Sequence, residues 1–201
     1  MKKIIITAAV ILTFGQAALA TAANLVSNPG FETGDFSGWT LSGTDYLPGG
    51  NDNYYGVDSM DAHNGSYGTY FGPVGGVLNL TQTIATTPGT SYQISFWLAQ
   101  APATPPTYVN SFAVSFSGGN LFTESPAPES NYTQYTFEGT APSAASQLQF
   151  SFRNDTGFFS LDDVSVSTSA PSAIPEPATF LLVLPALALV LRWRSASSRQ
   201  N

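Results

Sequence analysis

Residues 77–98 read VLNLTQTIATTPGTSYQISFWL, and this stretch decides the fold class. It contains two runs in which apolar and polar residues alternate, separated by the turn pair Pro88-Gly89. The residues that share one face are Leu78, Leu80 and Ile84 in the first run, and Tyr92, Ile94, Phe96 and Leu98 in the second. A period of two is typical of a β-strand with one buried face. The stretch therefore predicts two antiparallel strands joined by a turn.

The same alternation recurs on both sides of this stretch, and no part of residues 24–168 has helical periodicity. A further turn is expected at Gly118-Gly119-Asn120. The other predicted strands are Tyr108 to Phe116 with Phe112, Val114 and Phe116 inward, Tyr132 to Phe137, a run through Leu148, Phe150 and Phe152, Leu161 to Val166, and short strands near Leu25, Trp39 and Tyr67 to Phe71. Eight or nine short strands without a helix predict an all-β fold. We expect a two-sheet antiparallel jelly-roll sandwich over residues 24–168.

The first 20 residues have the features of a secretory signal peptide. A lysine pair at positions 2 and 3 precedes the apolar run 4–14, and Ala18-Leu19-Ala20 supplies the small residues that signal peptidase requires. We place the cleavage after Ala20, with Ala23 as the alternative. Residues 1–20 are thus expected to form a signal helix that directs export.

The segment between the two ends of the chain is strongly acidic. From residue 24 to residue 173, Arg153 is the only base, whereas twelve residues are acidic. This negative charge repels phosphate backbones and anionic lipids, which argues against nucleic-acid binding. It is compatible with neutral glycans and with divalent cations. Because the chain has no cysteine, the domain must be stabilised by its core without disulfides.

The C-terminal end combines a linker, a charged triplet and a short apolar run. A small-residue linker at 169–173 leads to Pro175-Glu176-Pro177, and the largely apolar run 178–191 is followed by Arg192 and Arg194. This run is shorter than the roughly 17–25 residues of a stable membrane span. The arginines favour a cytoplasmic end. We expect a short hydrophobic helix that holds the chain in the inner membrane.

Residues 174–201 resemble the PEP-CTERM sorting signal, which has a Pro-Glu-Pro triplet, an apolar span and a basic end in that order. The resemblance implies recognition by an exosortase, a membrane cysteine protease that removes the tail near the triplet. It also implies a Gram-negative bacterium that makes exopolysaccharide. After transient anchoring in the membrane, the protein would lie at the cell surface or in the extracellular matrix. An ordinary C-terminal anchor is the alternative.

The middle domain resembles the galactose-binding-like carbohydrate-binding modules in four places. These are NLVSNPGFE at 24–32 followed by Trp39, AHNGSY at 62–67, the segment from Gln82 to Tyr92, and LDDVSV at 161–166. The resemblance implies the sandwich fold and a non-catalytic role. It does not identify a ligand, because this sandwich also hosts adhesive and purely structural proteins.

Three acidic residues are candidate calcium ligands. Alternation in the last predicted strand puts Asp162 on the same face as Val164 and Val166, where a carboxylate is costly unless it is paired or metal-bound. Calcium binds carboxylate and carbonyl oxygens. In the resembling modules an N-terminal acid and an acid of the last strand flank a structural calcium, which implies Glu32 and Asp162 as ligands, with Asp163 the weaker candidate. The alternative is that Glu32 caps a turn and Asp162 binds backbone amides.

The least strand-like stretch is Thr44 to Met60, and it carries the candidate sugar-binding residues. Tyrosine rings stack on sugars, and the Asn and Asp side chains of this stretch can bind hydroxyl groups. The candidates are Tyr46, Tyr54 and Tyr55, with Tyr108 from another loop. The alternative is a long polar loop whose tyrosines pack onto the core. His63, the only histidine, is interpreted as structural because no partner pattern accompanies it.

Together these patterns favour an exported, non-catalytic surface or matrix protein whose sandwich binds exopolysaccharide. The first alternative is a structural or adhesive surface protein without sugar binding. The second is a glycan-active enzyme, which would need two carboxylates across a cleft. Asp58, Asp61 and Glu124 are available for that role, but no sequence motif groups them.

Overall fold

The computed structural model describes residues 22–43, 54–101, 109–155 and 157–169. This part of the chain forms two five-stranded antiparallel sheets packed face to face. The strands are β1 (Thr40–Gly43), β2 (Tyr55–Asp58), β3 (Gly68–Phe71), β4 (Leu78–Ala85), β5 (Ser91–Gln100), β6 (Asn110–Phe116), β7 (Gly119–Glu124), β8 (Ser130–Thr140), β9 (Ala145–Asn154) and β10 (Phe159–Thr168). The first sheet has the order β1-β4-β9-β6-β7 and the second has the order β2-β3-β10-β5-β8. The predicted all-β sandwich is confirmed.

Phenylalanine rings fill the space between the sheets. Phe71 of the second sheet stacks on Phe152 of the first, with ring centroids 4.1 Å apart and ring planes 9° apart. Phe96 meets Phe150 edge to face across the same space, at 5.1 Å. All four rings are completely buried. These contacts between sheets stabilise the fold without a disulfide, since each buried ring contributes a large apolar area.

The alternation in β4, β5, β6 and β9 places the predicted residues inward. In β4 and β5, for example, the residues of the stretch 77–98 that were predicted to share a face are all buried. The inward residues of β6 and β9 are those predicted, namely Phe112, Val114, Phe116, Leu148, Phe150 and Phe152. The segment around Leu25 runs beside β10, where the Leu25 amide donates to the carbonyl of Val166 (2.8 Å), but it forms no strand.

Two strands were not predicted. The turn after β6 lies at Ser117 and Gly118, both with positive φ, so that Gly119 begins β7 rather than completing the turn. Likewise β2 begins at Tyr55, inside the stretch expected to be irregular. Both strands lie at sheet edges or beside a loop, where glycine and asparagine are tolerated and the alternation signal is weak.

The expected orientation of Asp162 is wrong. Leu161 pairs with Leu98 and Asp162 with Trp97, but the next pair is Ser165 with Ser95, so β10 contains a bulge. The extra residue is Asp163, which has a φ of 49°. A bulge breaks the period of two. Asp162 therefore lies on the outer face of the second sheet, opposite to Leu161 and Val164.

Several sequence predictions concern residues outside those described. They are the signal peptide, the tail with Pro175, Glu176, Pro177, Arg192 and Arg194, and the tyrosines Tyr46 and Tyr108. All regular structure in the described ranges is β-strand, and these ranges hold no helix of the length and apolarity needed to cross a membrane.

Candidate functional site

The loop between β2 and β3 folds over the outer face of the second sheet. At its start, Asp58 Oδ1 accepts hydrogen bonds from the amides of Met60 (2.8 Å) and Asp61 (3.1 Å). Further along, the His63 ring stacks on Trp97 of β5, with centroids 3.9 Å apart. Tyr132 of β8 donates its hydroxyl proton to the carbonyl of Asp61 at 2.5 Å. The structural interpretation of His63 agrees with this stacking, which fixes the loop to the sheet.

The loop also supplies the partners of the candidate calcium ligands. Completely buried Asp162 accepts hydrogen bonds from the amides of His63 (2.8 Å) and Asn64 (3.2 Å) on Oδ2, and from the amide of Asp163 on Oδ1 (2.7 Å). Burial raises the pKa of Asp162 to about 6, although the three amides oppose this effect. Asp163 Oδ2 lies 2.7 Å from Nδ1 of His63.

Glu32 is held in the same manner from the other side. Its carboxylate accepts hydrogen bonds from the amides of Ser66 (2.9 and 3.1 Å) and Tyr67 (3.2 Å). A Cβ atom on Gly30 would lie 3.5 Å from Asp162 Oδ1 and 3.7 Å from Asp163 Oδ1. Glu32 Cγ would lie 3.7 Å from the same point, so the three predicted residues border Gly30, but the Glu32 carboxylate faces Ser66 and Tyr67.

The hydrogen bonds from backbone amides to Asp162 fit the alternative to calcium binding that the sequence left open, in which Asp162 binds backbone amides. Within the described ranges, no group of three or more His, Cys, Asp or Glu side chains is arranged to hold a metal ion. No role is derived for a metal ion from the side chains as placed. Calcium binding stays a prediction.

A pocket of about 410 Å³ opens beside the start of this loop, and we call it the end pocket. Its lining residues are Asp58, Met60, Asp61, Tyr70, Ala101, Phe158 and Ser160. Tyr70 and Phe158 meet edge to face, with centroids 5.8 Å apart. Met60 is 87% exposed and Phe158 is 37% exposed. The pocket therefore presents apolar and aromatic surface to solvent next to two carboxyl groups.

Two glycines allow the rings to lie where they do. A Cβ on Gly56 would meet the Tyr70 hydroxyl at 2.5 Å and the Tyr70 ring at 2.7 Å, so the Tyr70 side chain lies against the facing residue of β2. A Cβ on Gly72 would meet the Phe158 ring at 2.6 Å. Close approach of a ring to backbone requires glycine at both positions.

The end pocket has a negative electrostatic character. Burial and the neighbouring charge of Asp58 raise the pKa of Asp61, whose Oδ1 accepts a hydrogen bond from the Ser160 hydroxyl. Arg153 is the sole Lys or Arg in the described ranges, and it pairs with Asp155 through two bonds of 3.0 Å. No described basic side chain neutralises the pocket.

Two of the predicted sugar-binding tyrosines fall in the described ranges. Tyr54 is 39% exposed, and its carbonyl accepts a hydrogen bond from Gly72 (2.6 Å), the residue on which Phe158 lies. Tyr55 begins β2 and packs against the core, with its ring 6.4 Å from that of Phe36. For Tyr55 the structure thus favours packing onto the core, which was the alternative.

A second depression lies on the outer face of the first sheet. It measures about 610 Å³ and is lined by Leu25, Ser27, Gly38, Thr40, Thr81, Gln82, Thr83, Ala85 and Gln147. Gln82 is bonded to Ser27 in both directions, at 2.7 and 3.0 Å. Among the described residues that line it, none is aromatic.

Sequence reasoning missed Tyr70 and Phe158, although a signal was present. Each stands directly before a phenylalanine, in Tyr70-Phe71 and Phe158-Phe159. Neighbouring residues of a strand point to opposite faces, so one ring of each pair must face outward. Phe71 and Phe159 are completely buried, which leaves Tyr70 and Phe158 on the outside.

Comparison with known proteins identifies the family. A family model described as a carbohydrate binding domain matches residues 23–157. The chain belongs to this family. No curated protein matches the chain.

Solved structures share the fold of this carbohydrate-binding domain at low sequence identity. TmCBM61, in complex with β-1,4-galactotriose, has a TM-score of 0.53 and 22% identity over 74% of this chain and all of its own. The K1 cleaved adhesin domain of Lys-gingipain from Porphyromonas gingivalis scores 0.52 with 16% identity, over 70% of this chain and 96% of that one. The CBM22-1-GH10 modules of Clostridium thermocellum xylanase 10B, complexed with xylohexaose, score 0.50 with 17% identity, over 79% and 31%.

Proposed function

We propose that this protein is a non-catalytic carbohydrate-binding protein that holds a glycan in the end pocket. The observation that carries the proposal is the pair of outward rings, Tyr70 and Phe158, beside the carboxyl groups of Asp58 and Asp61. Sugar sites combine apolar surface for the ring faces with a few polar groups for the hydroxyls. Membership of a carbohydrate-binding family supports the same assignment.

The end pocket suits a glycan better than the depression on the first sheet. The described residues of that depression offer threonine, serine and glutamine side chains but no ring on which a sugar can stack. Gln82, its largest buried polar side chain, is already bonded to Ser27. The end pocket, in contrast, exposes Met60 and Phe158 to solvent.

Charge favours a neutral polysaccharide as the ligand. Two carboxyl groups line the end pocket without a described basic partner, and they would repel an acidic polymer. A neutral exopolysaccharide of the producing cell meets this condition. The expected export by a signal peptide and sorting by an exosortase would bring the protein to the cell surface or matrix, where such a polymer lies.

Two variants, each of which removes an aromatic ring of nearly the same exposure, test the proposal. The purified full chain is screened on an array of neutral oligosaccharides that includes β-1,4-galactotriose and xylohexaose, and the best-bound oligosaccharide becomes the probe. Phe158→Ala removes a ring of the end pocket, whereas Tyr67→Ala removes a ring that is 38% exposed and packs on Gly34 instead. Stacking of a nucleic-acid base on one aromatic ring is worth about 1–3 kcal/mol, and we expect a loss of similar size for a sugar face, so Phe158→Ala should weaken binding about tenfold.

The control must behave differently. Tyr67→Ala is expected to retain the affinity of the parent, and both variants are checked for folding by circular dichroism. Absence of binding to any oligosaccharide on the array, or equal loss in the two variants, would contradict the proposal.

A further inference from the structure

The strand β8 lies at one edge of the second sheet, and β5 is its only partner among the described strands. It is 11 residues long, whereas the other edge strands, β1, β2 and β7, have 4, 4 and 6 residues. An edge strand presents unpaired backbone N–H and C=O groups along its free side, and a short strand limits their number. Thus β8 offers the longest free edge of the described fold.

The free edge of β8 also lacks the other features that protect sheet edges. Residues 133–139 read TQYTFEG, without lysine or proline and with Glu138 as the only charge. The register shift between the two strands lies between Leu98 and Gln100 of β5, so residues 133–139 pair with β5 without a bulge. Lysine, proline and bulges are the usual devices against pairing between edges. This part of β8 can therefore accept a further strand.

Partly exposed aromatic rings lie along the same edge. Phe122 of β7 contacts Tyr135 and Phe137 of β8, with ring centroids 5.3 and 5.5 Å apart. Tyr135 also stacks on buried Phe96 of β5, at 5.5 Å. The rings of Phe122, Tyr135 and Phe137 pack against the core but are only partly buried. A strand that continues the second sheet beyond β8 would cover more of them.

We propose that a second copy of this chain pairs with the free edge of β8, antiparallel and about a two-fold axis at Thr136. Thr136 then faces its own copy, and Tyr135 of each chain faces Phe137 of the other. In the same register Gln134 of each chain faces Glu138 of the other. Pairs of threonines and pairs of aromatic residues are favourable across neighbouring strands. The segment is therefore complementary to itself, as an interface between two identical chains requires.

The distribution of charge favours this edge for contact between two copies. From residue 24 to residue 173 the chain has twelve acidic residues and one base, so two copies repel each other over much of their surfaces. Residues 133–139 carry a single charge, and the register at Thr136 places it opposite an uncharged glutamine. No like charges are directly opposed in the paired segment. This inference does not depend on the proposed function.

A single cysteine at the two-fold axis tests the register. Thr136 is exposed, and the chain has no cysteine of its own. Opposed residues of antiparallel strands have Cα atoms about 4.5–5.5 Å apart, which a disulfide can span. The purified full chain with Thr136→Cys, oxidised by oxygen with a copper catalyst, should therefore form a covalent dimer. Thr83→Cys, at an exposed position of β4 in the first sheet, should form none at the same concentration.

Sedimentation measures the association without a cross-link. The full-length parent should sediment as a dimer. Thr136→Glu should raise the dimer dissociation constant at least about tenfold, because two carboxylates would face each other across the axis. Thr83→Glu adds the same charge away from the edge and should dimerise like the parent. Circular dichroism checks that each variant is folded.

Three results would overturn the inference. The first is a parent that sediments as a monomer at every concentration, and the second is equal cross-linking of Thr136→Cys and Thr83→Cys. The third is a dimer that Thr136→Glu leaves intact, or that both glutamate variants weaken equally, since another surface or the net charge would then control association. If Thr136→Glu does not fold, the two cysteine variants decide. Oligosaccharide binding enters none of these outcomes, so the proposed function is tested separately.

Discussion

At the scale of single residues, the outer face of the second sheet depends on carboxylates that accept backbone amides. Asp162 binds three amides and Glu32 binds those of Ser66 and Tyr67. Sequence alone could identify Asp162 as unusual, because a carboxylate in a strand must have partners. Glu32 is singled out only by the resemblance to the carbohydrate-binding modules. Sequence could not identify the partners, because two of the three donors to Asp162 come from a loop about 100 residues away along the chain.

The raised pKa of Asp162 makes stability depend on pH with a definite sign. The folded pKa of about 6 lies above the ordinary value of 3.8, so ionised Asp162 destabilises the fold above about pH 6. This destabilisation disappears as the pH falls towards 4. Both proteins are measured in the presence of a chelator. Relative to that of Asp162→Asn, the free energy of unfolding of the parent should rise by about 2 kcal/mol between pH 7 and pH 4.5.

Subtraction of the variant's profile removes the contributions of the other titrating groups. Identical pH profiles of the parent and Asp162→Asn would contradict the assigned pKa. Calcium added at pH 7 tests the metal prediction in the same samples. A rise in melting temperature that Asp162→Asn loses would support a calcium site, and no rise would contradict it.

At the scale of strands, sequence patterns predict the elements with a buried face, and the two strands that they miss, β2 and β7, have none. The residues of β4, β5, β6 and β9 alternate cleanly, because one face meets the phenylalanine core. In β7 and β8 no position is fully buried, and β7 was missed. The bulge in β10 was also missed, since nothing in LDDVSV marks the added residue.

Pairing of β2 with β3 positions the Tyr70 ring, which gives a test at the level of strands. Gly56→Ala leaves every lining residue unchanged but puts a methyl group 2.5 Å from the hydroxyl and 2.7 Å from the ring of Tyr70. The ring must move out of the end pocket, so binding of the array-selected oligosaccharide should weaken several-fold. Gly119→Ala, at the start of β7 with only the Phe116 carbonyl near its Cβ at 3.4 Å, is the control. Unchanged affinity in Gly56→Ala would show that Tyr70 does not contact the glycan.

At the scale of the whole molecule, the sandwich domain and the two ends of the chain have different expected roles. The described residues account for a binding domain, whereas the expected signal peptide and sorting tail would determine where it works. The fold class follows from the sequence because alternation runs through the whole domain. The end pocket does not, because its rings come from β3 and from the segment before β10, which only the folded chain brings together.

The sorting proposal has its own test in the cell. Glu176 is the charged residue of the Pro-Glu-Pro triplet, which an exosortase would recognise. Glu176→Ala should leave the protein unprocessed in the inner-membrane fraction, while the parent appears at mature mass outside it. Asp155→Ala, which leaves the tail intact, should be processed like the parent. Release of Glu176→Ala at mature mass would contradict exosortase sorting.

The central claim is that a neutral glycan binds at the end pocket, and chemical-shift mapping tests it most directly. The array-selected oligosaccharide is titrated into isotope-labelled protein, and amide shifts are followed residue by residue. We predict that the largest changes fall on the end pocket, at Asp61, Tyr70, Ala101, Phe158 and Ser160. Changes concentrated instead on Thr81, Thr83 and Gln147, in the depression on the first sheet, would contradict the account.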